Sequence, residues 1–437
     1  MVKIAPASRP SPNTLKKQIV PIVFVPGLMG TRLAFDKPDH VDKSMKWDPD
    51  SPLTEMLPWK RLTPSEKRLV LHHRNRATVM DEDADNGWGA IPKSVYGDFR
   101  QALLNKKDVA GATSPIYAVG YDWRLSCAVS AWRLAAKVAA ILKENKGAQQ
   151  VVLITHSMGG LVARAAIKLS AGFANSVRGV SHVAQPVAGA VVLYRRVFTG
   201  MLTKWDGDKH LAEILGNTPR GFTLTMSGVP GVFELLPTQQ YRYVPDDSPE
   251  SPDDPQIRLL RGPWESGEKG QQDSLGRTVY PHGISRRYLD QNSPPGIFNA
   301  KLHGSRDATE NQDVQQDINS GVIGASGFHE VVALSMHDNT RMIYSTGSAT
   351  DVAVKYPVVR EQFDDQLVYR KEEGDGTVPD ASAMALWPSA VTASVANARV
   401  DANRQFVVKS AEHAKILDNS TVRQVLFELT DQMIKKG

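Results

Sequence analysis

The sequence predicts an α/β fold: a mostly parallel central sheet flanked by helices, with a cap or lid inserted between core strands. Three observations predict it. From about residue 115 to 185, strand-like and helix-like patterns alternate, as parallel strands joined by crossover helices require. The runs Gln18-Ile19-Val20-Pro21-Ile22-Val23-Phe24-Val25 and Val151-Val152-Leu153-Ile154 are apolar nearly throughout, as strands covered on both faces are. Between about 190 and 340 the alternation fails, then strand-like segments return; a cap placed between core strands fits that break.

Taken in order, residues 1–18 read as a mobile Pro/Ser/Lys-rich tail, and residues 19–190 as the first part of the core. The first strand, with Pro21 at its edge or start, ends in the glycine-rich loop Pro26-Gly27-Leu28-Met29-Gly30-Thr31-Arg32-Leu33. Residues 37–90 are polar, with tryptophans at 47, 59 and 88. Their acidic cluster Asp81-Glu82-Asp83-Ala84-Asp85 reads as a solvated loop in preference to a calcium site. Tyr96 to about Asn105 and Trp132 to Asn145 are expected to be amphipathic helices. In the second, Trp132, Ala135, Val138, Ala139 and Leu142 share one face and Gly147 is the stop. Residues 191–340 are the expected cap, containing the apolar stretch Val229 to Leu236 and the loop-like Asp246 to Pro255. Residues 341–437 complete the core.

The most informative segment is Thr155-His156-Ser157-Met158-Gly159-Gly160. It follows the apolar run from Val151 and precedes the helical pattern from Leu161 to Ile167. A serine on a tight strand-to-helix turn is the context of a nucleophile elbow. Such a turn lifts Oγ above the sheet edge and demands small neighbours; Gly159 fits, and Thr155 departs from the usual glycine. The competing reading is a helix N-cap serine after a buried strand.

A serine nucleophile needs a base, an acid that orients the base, and N–H donors for the oxyanion. On this architecture the order is serine, acid, histidine. Asp375 lies in the glycine-flanked turn Gly374-Asp375-Gly376-Thr377-Val378-Pro379, with Asp364 and Asp365 as nearby competing acids. His413 follows the strand-like Gln405 to Val408 and precedes a final helix. Each alone could be an ordinary turn residue; the three together in order point to a triad. The loop after the first strand would bring backbone N–H groups to a substrate carbonyl, and the residue after the nucleophile, Met158, would supply the other.

At these residues the chain resembles a known family. Val23-Phe24-Val25-Pro26-Gly27-Leu28-Met29-Gly30, and the later Asp36-Lys37-Pro38-Asp39, are similar to the start of the lecithin:cholesterol acyltransferase-like α/β hydrolases, which include lysosomal phospholipase A2-type enzymes. Tyr117 to Arg124, ending in Tyr-Asp-Trp-Arg, resembles that family's strand before the nucleophile. Arg178 to Gly189, Ile343 to Gly347, and Gly374 to Pro379 resemble the next strand, the late strand and the acid loop. The likeness runs in order from about residue 19 to about 430, excepting roughly 240–330. It implies an α/β-hydrolase fold, Ser157, Asp375 and His413 as the triad, and by position Met29 and Met158 as oxyanion donors. It also implies lipid acyl esters, glycerophospholipids among them, as substrates.

The chain departs from the secreted, disulfide-stapled animal members. Its one cysteine, Cys127, forms no internal disulfide and is expected to be a buried spectator; a lid would be held by packing. Such a disulfide-free chain suits a bacterial member. A formal charge of +5, with 41% hydrophobic and 23% charged residues, is that of a globular protein. The mild basicity is compatible with transient contact at an anionic membrane surface. Without a long basic block, nucleic acid is not indicated. The segment Met1 to Pro10 does not read as a secretory signal, and no apolar run reaches membrane-span length. The expectation is a cytoplasmic protein as synthesised, with leaderless export as the alternative.

No cofactor or metal is expected. His329-Glu330 lacks the second histidine of a zinc motif. His156 is expected to pack rather than act as base, His182 to be a satisfied core histidine, and Asp122 and Arg124 to brace the loop beside the site. Two function classes stand at this point: a serine esterase of lipase or phospholipase type, with acyl transfer to an alcohol and a role as an exported effector as variants, and a non-catalytic scaffold binding lipid or protein.

Overall fold

Six short, β-branched segments pair side by side in the computed structural model, which describes residues 18–106, 112–238, 241, 257–259, 271–272, 278–279, 308–332, 335–357, 368–384 and 404–435. They are β1 (Ile22–Val25), β2 (Ile116–Ala118), β3 (Val151–His156), β4 (Val177–Val183), β5 (Thr340–Thr346) and β6 (Gln405–Lys409). The sheet order is β6-β5-β4-β3-β1-β2, and every neighbouring pair is parallel. β1 and β3 are buried along their whole length, which is why they read as continuous apolar runs. Pro21, which cannot donate to a ladder, separates β1 from a two-residue strand at Gln18–Ile19 that pairs with Ala112–Thr113.

Side-chain alternation divides the core in two. Ile22, Phe24, Val152, Ile154 and Ile343 face helices α1 (Lys93–Asn105) and, at the end of the chain, Ser420–Lys435. Phe24 is enclosed there by Trp88, Tyr96 and Phe99, with ring centroids 5.5, 5.0 and 5.2 Å away. Val23, Val25, Val151, Leu153 and Val180 face α2 (Cys127–Glu144) and α3 (Gly159–Leu169).

The buried stripe of α2 differs from the expected one. Cys127, Ala131, Leu134, Val138 and Ile141 face inward, while Ala139 is exposed and Trp132 is 57% exposed. The helix is apolar almost all round, so a 3.6-residue period fits two adjacent stripes. The stripe with small residues in its first turns lies against the sheet, and the indole is left outside. The acidic loop is laced by cations. Asp81 pairs with Arg32, Glu82 with Arg133 and Lys137, Asp83 with Lys137, and Asp85 with Arg100.

Between β4 and β5 the chain forms short helices at Val192–Thr199, Thr203–Asp206, Lys209–Leu215, Pro219–Met226 and Pro230–Phe233, then α4 (Ala308–Val332). A small apolar cavity among them is lined by Leu193, Val197, Phe222, Met226, Val232 and Phe233. The insertion is tied down by charge. Asp317 on α4 pairs with Arg68 and His72, and buried Arg195 bridges Asp206 and Asp351. The stretch Val229 to Leu236 is buried, not displayed. A Cβ on Gly231 would stand 2.6 Å from the Trp123 carbonyl oxygen, and Glu234 accepts the Cys127 N–H at the start of α2. The segments Asp246–Pro255 and 1–17, and the competing acids Asp364 and Asp365, lie outside the described residues.

Candidate active site

β3 ends at His156 and α3 begins at Gly159, leaving two residues to reverse the chain direction. Ser157 takes φ +52°, in the left-handed region. A non-glycine residue there carries strain on the order of 1–3 kcal/mol, held only because its surroundings over-determine it. Those surroundings are close. A Cβ on Gly159 would lie 2.4 Å from the Pro26 oxygen and 2.5 Å from the Val25 oxygen, so only glycine fits two residues after the serine. Two residues before it, Thr155 is admitted because its side chain lies beside the next strand. It pairs in register with His182, and Oγ1 is 2.8 Å from His182 Nδ1.

The acid loop joins the strand Val368–Lys371 to the short helix Asp380–Ala383. Gly376, at φ +89°, donates its N–H to Thr350 Oγ1 at 2.8 Å. The turn aims two further N–H groups, of Thr377 and Val378, at Asp375 Oδ1, at 3.0 and 2.7 Å. The other oxygen, Oδ2, is 2.7 Å from His413 Nδ1, and the His413 backbone N–H donates to the Asp375 carbonyl at 2.8 Å. His413 Nε2 is 2.8 Å from Ser157 Oγ. The carboxylate, 2% exposed, can only accept, so His413 carries its proton on Nδ1 and presents the Nε2 lone pair to the serine hydroxyl. Ser157, Asp375 and His413 thus meet in the predicted order.

The glycine-rich loop lies directly against the serine turn: a Cβ on Gly27 would stand 2.9 Å from Ser157 Cβ. Its carbonyls and amides are braced from several sides. Tyr121 donates to the Pro26 oxygen at 2.9 Å, Trp47 Nε1 to the Met29 oxygen at 3.1 Å, and Gly27 N–H donates to Tyr96 Oη at 3.1 Å. Gly30 N–H turns back to the Gly27 carbonyl at 3.0 Å. Among the described residues this leaves the amides of Leu28, Met29 and Met158 without a protein acceptor. Met29, itself at φ +62°, and Met158 are the expected oxyanion donors; the Leu28 amide is equally open, and no residue type in the sequence marks it.

Other candidates separate from the chemistry. Asp122 and Arg124 pair with each other, and Arg124 donates to the carbonyls of His72 and Asn75, bracing the segment beside the site. Burial pushes the Cys127 thiol well up, which denies it a thiolate. His329 is bonded to the Glu234 carbonyl at 2.7 Å. His182 is fully buried, and burial holds its imidazole down at about 3. Its Nε2 has no partner among the described residues, so it is satisfied on one side only. His156 makes no hydrogen bond to Ser157. It bonds Tyr96 Oη through Nδ1 at 2.9 Å and the His413 carbonyl through Nε2 at 3.1 Å. The sequence carried no signal for Tyr96, Trp47 or Thr350, whose roles depend on contacts remote in the chain.

Two comparisons with known proteins agree with this architecture. The model of a family described as a PGAP1-like alpha/beta domain matches residues 133–215, from α2 through the serine turn into the insertion. The chain solved in the Tle4-Tli4 complex superposes over 95% of this chain and 99% of its own, with a TM-score of 0.61 and 16% identity. The fold is that of an α/β hydrolase. A Saccharomyces cerevisiae protein, YJR098C, is 35% identical over 89 residues, which are 20% of this chain and only 13% of that protein. The mature lipase BlEst2 of Bacillus licheniformis aligns with 98% of this chain and 96% of its own at 12% identity and a TM-score of 0.35. Among the described residues no helix is long and apolar enough to cross a membrane.

Proposed function

We propose that the chain is a serine carboxylic-ester hydrolase acting on lipid acyl esters, with phospholipid as the expected class. The observation that carries this is one hydrogen-bonded line, from Asp375 Oδ2 to His413 Nδ1 at 2.7 Å and from His413 Nε2 to Ser157 Oγ at 2.8 Å, with Ser157 held at φ +52°. A non-catalytic scaffold has no need of that line or that strain.

The chemistry follows from the geometry. Ser157 Oγ attacks the acyl carbon while His413 Nε2 takes its proton, and Asp375 holds the imidazolium in orientation. The carbonyl oxygen becomes an oxyanion beside the N–H groups of Met158 and of the loop containing Met29. The tetrahedral species collapses, and His413 gives the proton to the departing alcohol, leaving an acyl-serine. Water, deprotonated by His413, attacks the acyl-serine and releases the fatty acid. An alcohol in place of water would make the same site an acyltransferase. The substrate class rests on the resemblance to lecithin:cholesterol acyltransferase-like enzymes. The segment between β4 and β5 is the proposed cap, and its small apolar cavity is the kind of surface an acyl chain would need. A structure with this fold was solved with a second protein, Tli4, and a protein partner is a corresponding proposal here.

The test is covalent labelling by a fluorophosphonate probe, followed by fatty-acid release from phosphatidylglycerol vesicles beside hydrolysis of p-nitrophenyl butyrate. The wild type should be labelled and Ser157→Ala should not. Ser157→Ala should retain at most the roughly 10³–10⁴-fold advantage over water that binding and the oxyanion donors supply. An unlabelled wild type overturns the serine-hydrolase reading. Brisk butyrate hydrolysis with no vesicle fatty acid removes the phospholipid class.

A further inference from the structure

The catalytic base is held from a side that the triad does not include. His413 accepts, through its own backbone carbonyl, a hydrogen bond from His156 Nε2 at 3.1 Å. The other nitrogen of that ring, Nδ1, lies 2.9 Å from Tyr96 Oη, and Tyr96 Oη also accepts the Gly27 N–H at 3.1 Å. Proton positions in this line follow from its ends. The Gly27 amide can only donate and the His413 carbonyl can only accept. Tyr96 Oη therefore accepts from Gly27 and donates to His156 Nδ1, and His156 donates from Nε2 to His413. With a neutral His156 ring this is the one arrangement in which every donor has an acceptor; a doubly protonated ring would donate to Tyr96 Oη instead.

We propose that Tyr96 and His156 are positioning residues, a buried relay that fixes the glycine-rich loop and the main chain of the base relative to each other. It rests on the serine-hydrolase reading of Ser157, Asp375 and His413 and adds two residues to it.

Three further observations support it. Tyr96 and His156 are 4% and 5% exposed, so water cannot replace a lost partner freely. The space around the hydroxyl is closed: a Cβ on Gly30 would lie 2.9 Å from Tyr96 Oη, and a Cβ on Gly27 would lie 3.2 Å from His156 Nδ1. The His156 and His413 rings are also in direct contact, with centroids 5.2 Å apart. His413 adds its Nδ1 bond and its backbone N–H bond to Asp375, so the acid loop and the relay grip its two main-chain groups from opposite ends. Burial holds the His156 imidazole down at about 3, so the relay keeps its neutral, directional form near neutral pH. The groups facing the His156 ring are Tyr96, Gly27 and His413, and none of them is an acid that would reverse this.

The relay predicts a loss in turnover without a matching loss in ground-state binding. A displacement of a reacting group by about 1 Å costs on the order of 100-fold. Tyr96→Phe should lower kcat on p-nitrophenyl butyrate by about 10- to 100-fold with KM within about 2-fold of wild type. His156→Phe should do the same. His156→Gln, whose amide can donate to the His413 carbonyl and accept from Tyr96, should recover kcat to within about 3-fold of wild type. Turnover is expressed per fluorophosphonate-titrated site, so that a misfolded fraction does not count. A Tyr96→Phe enzyme with wild-type kcat per titrated site overturns the relay, as does His156→Gln no better than His156→Phe. A wild type that takes up no probe overturns the underlying serine-hydrolase reading instead, and the relay with it.

Discussion

Replacing Asp375 by asparagine tests the site at its least exchangeable point. The carboxylate has two distinct oxygens. Oδ1 accepts from the Thr377 and Val378 amides at 3.0 and 2.7 Å, and Oδ2 faces His413 Nδ1 at 2.7 Å. An asparagine carries one acceptor and one donor group in place of these. If its NH2 faced the Thr377 and Val378 amides, donors would meet donors in a site that is 2% exposed, leaving buried groups unsatisfied. The carbonyl must therefore take the Oδ1 position, and the NH2 must face His413 Nδ1. His413 then accepts at Nδ1 and carries its proton on Nε2, the nitrogen that should take the serine proton 2.8 Å away. The fold is kept and the tautomer is wrong. In serine hydrolases with this arrangement the loss is about 10⁴-fold in kcat, or about 5.5 kcal/mol of transition-state stabilisation. The assay is kcat on p-nitrophenyl butyrate, with thermal unfolding as the check that the variant is folded. The fluorophosphonate labelling rate should fall in parallel. A folded Asp375→Asn enzyme within about ten-fold of wild type would refute the tautomer argument and move the acid elsewhere.

Two further outcomes concern stability. Gly159→Ala places a methyl 2.4–2.5 Å from two backbone oxygens of β1 and its loop, which cannot move without breaking the sheet edge. It should lower Tm by several degrees or leave the chain insoluble, and an unchanged Tm would contradict the close approach. Stability should also peak near neutral pH. Burial holds His156 and His182 down at about 3 and His329 at about 4, so below about 6.5 the unfolded chain takes up protons that these imidazoles refuse, and stability falls as pH falls. Glu234 works in the opposite sense. Burial raises it to about 7, so its contribution is full below the ordinary carboxyl range and is lost as pH rises to about 7. Three histidines outweigh one glutamate where their windows overlap, so Glu234→Gln should steepen the fall in stability toward acid and remove the fall on approaching pH 7. A Tm higher at pH 5 than at pH 7, read by calorimetry, would contradict this.

What could be read from the sequence was what is local. The serine turn is legible because strand, turn and helix lie within about twenty residues and the turn itself demands glycine at 159. The acid loop is legible because Gly376 must adopt positive φ. The stripe of α2 was not, because alanines on several sides give no periodicity to follow. The direction of Val229 to Leu236 was not, because an apolar run marks burial without saying against what. Here it is buried against Trp123 to Leu125, a hundred residues earlier in the chain. Thr155 departs from the usual glycine, and the partner that accommodates it, His182, lies on the neighbouring strand, out of reach of a local reading.

The same remoteness explains how Ser157 keeps its strained backbone. Contacts from outside the turn help to hold φ at +52°: the Ser157 N–H donates to the Val183 carbonyl at 2.9 Å, and the glycine-rich loop packs against the turn. A Cβ on Gly159 would collide with the Val25 and Pro26 oxygens, and a Cβ on Gly27 with Ser157 Cβ, so loop and turn pack with no room for a side chain between them. That loop is anchored in turn by Tyr121 at Pro26, Tyr96 at Gly27 and Trp47 at Met29. If Ser157 and the loop amides act as proposed, nucleophile geometry and oxyanion geometry are one constraint, not two. On the proposed reading, a shift of the loop large enough to remove its amides from a substrate carbonyl would also loosen the packing against the serine turn. Tyr121 and Trp47 would then belong to the site through the loop they brace, as Tyr96 and His156 are proposed to belong to it through the base.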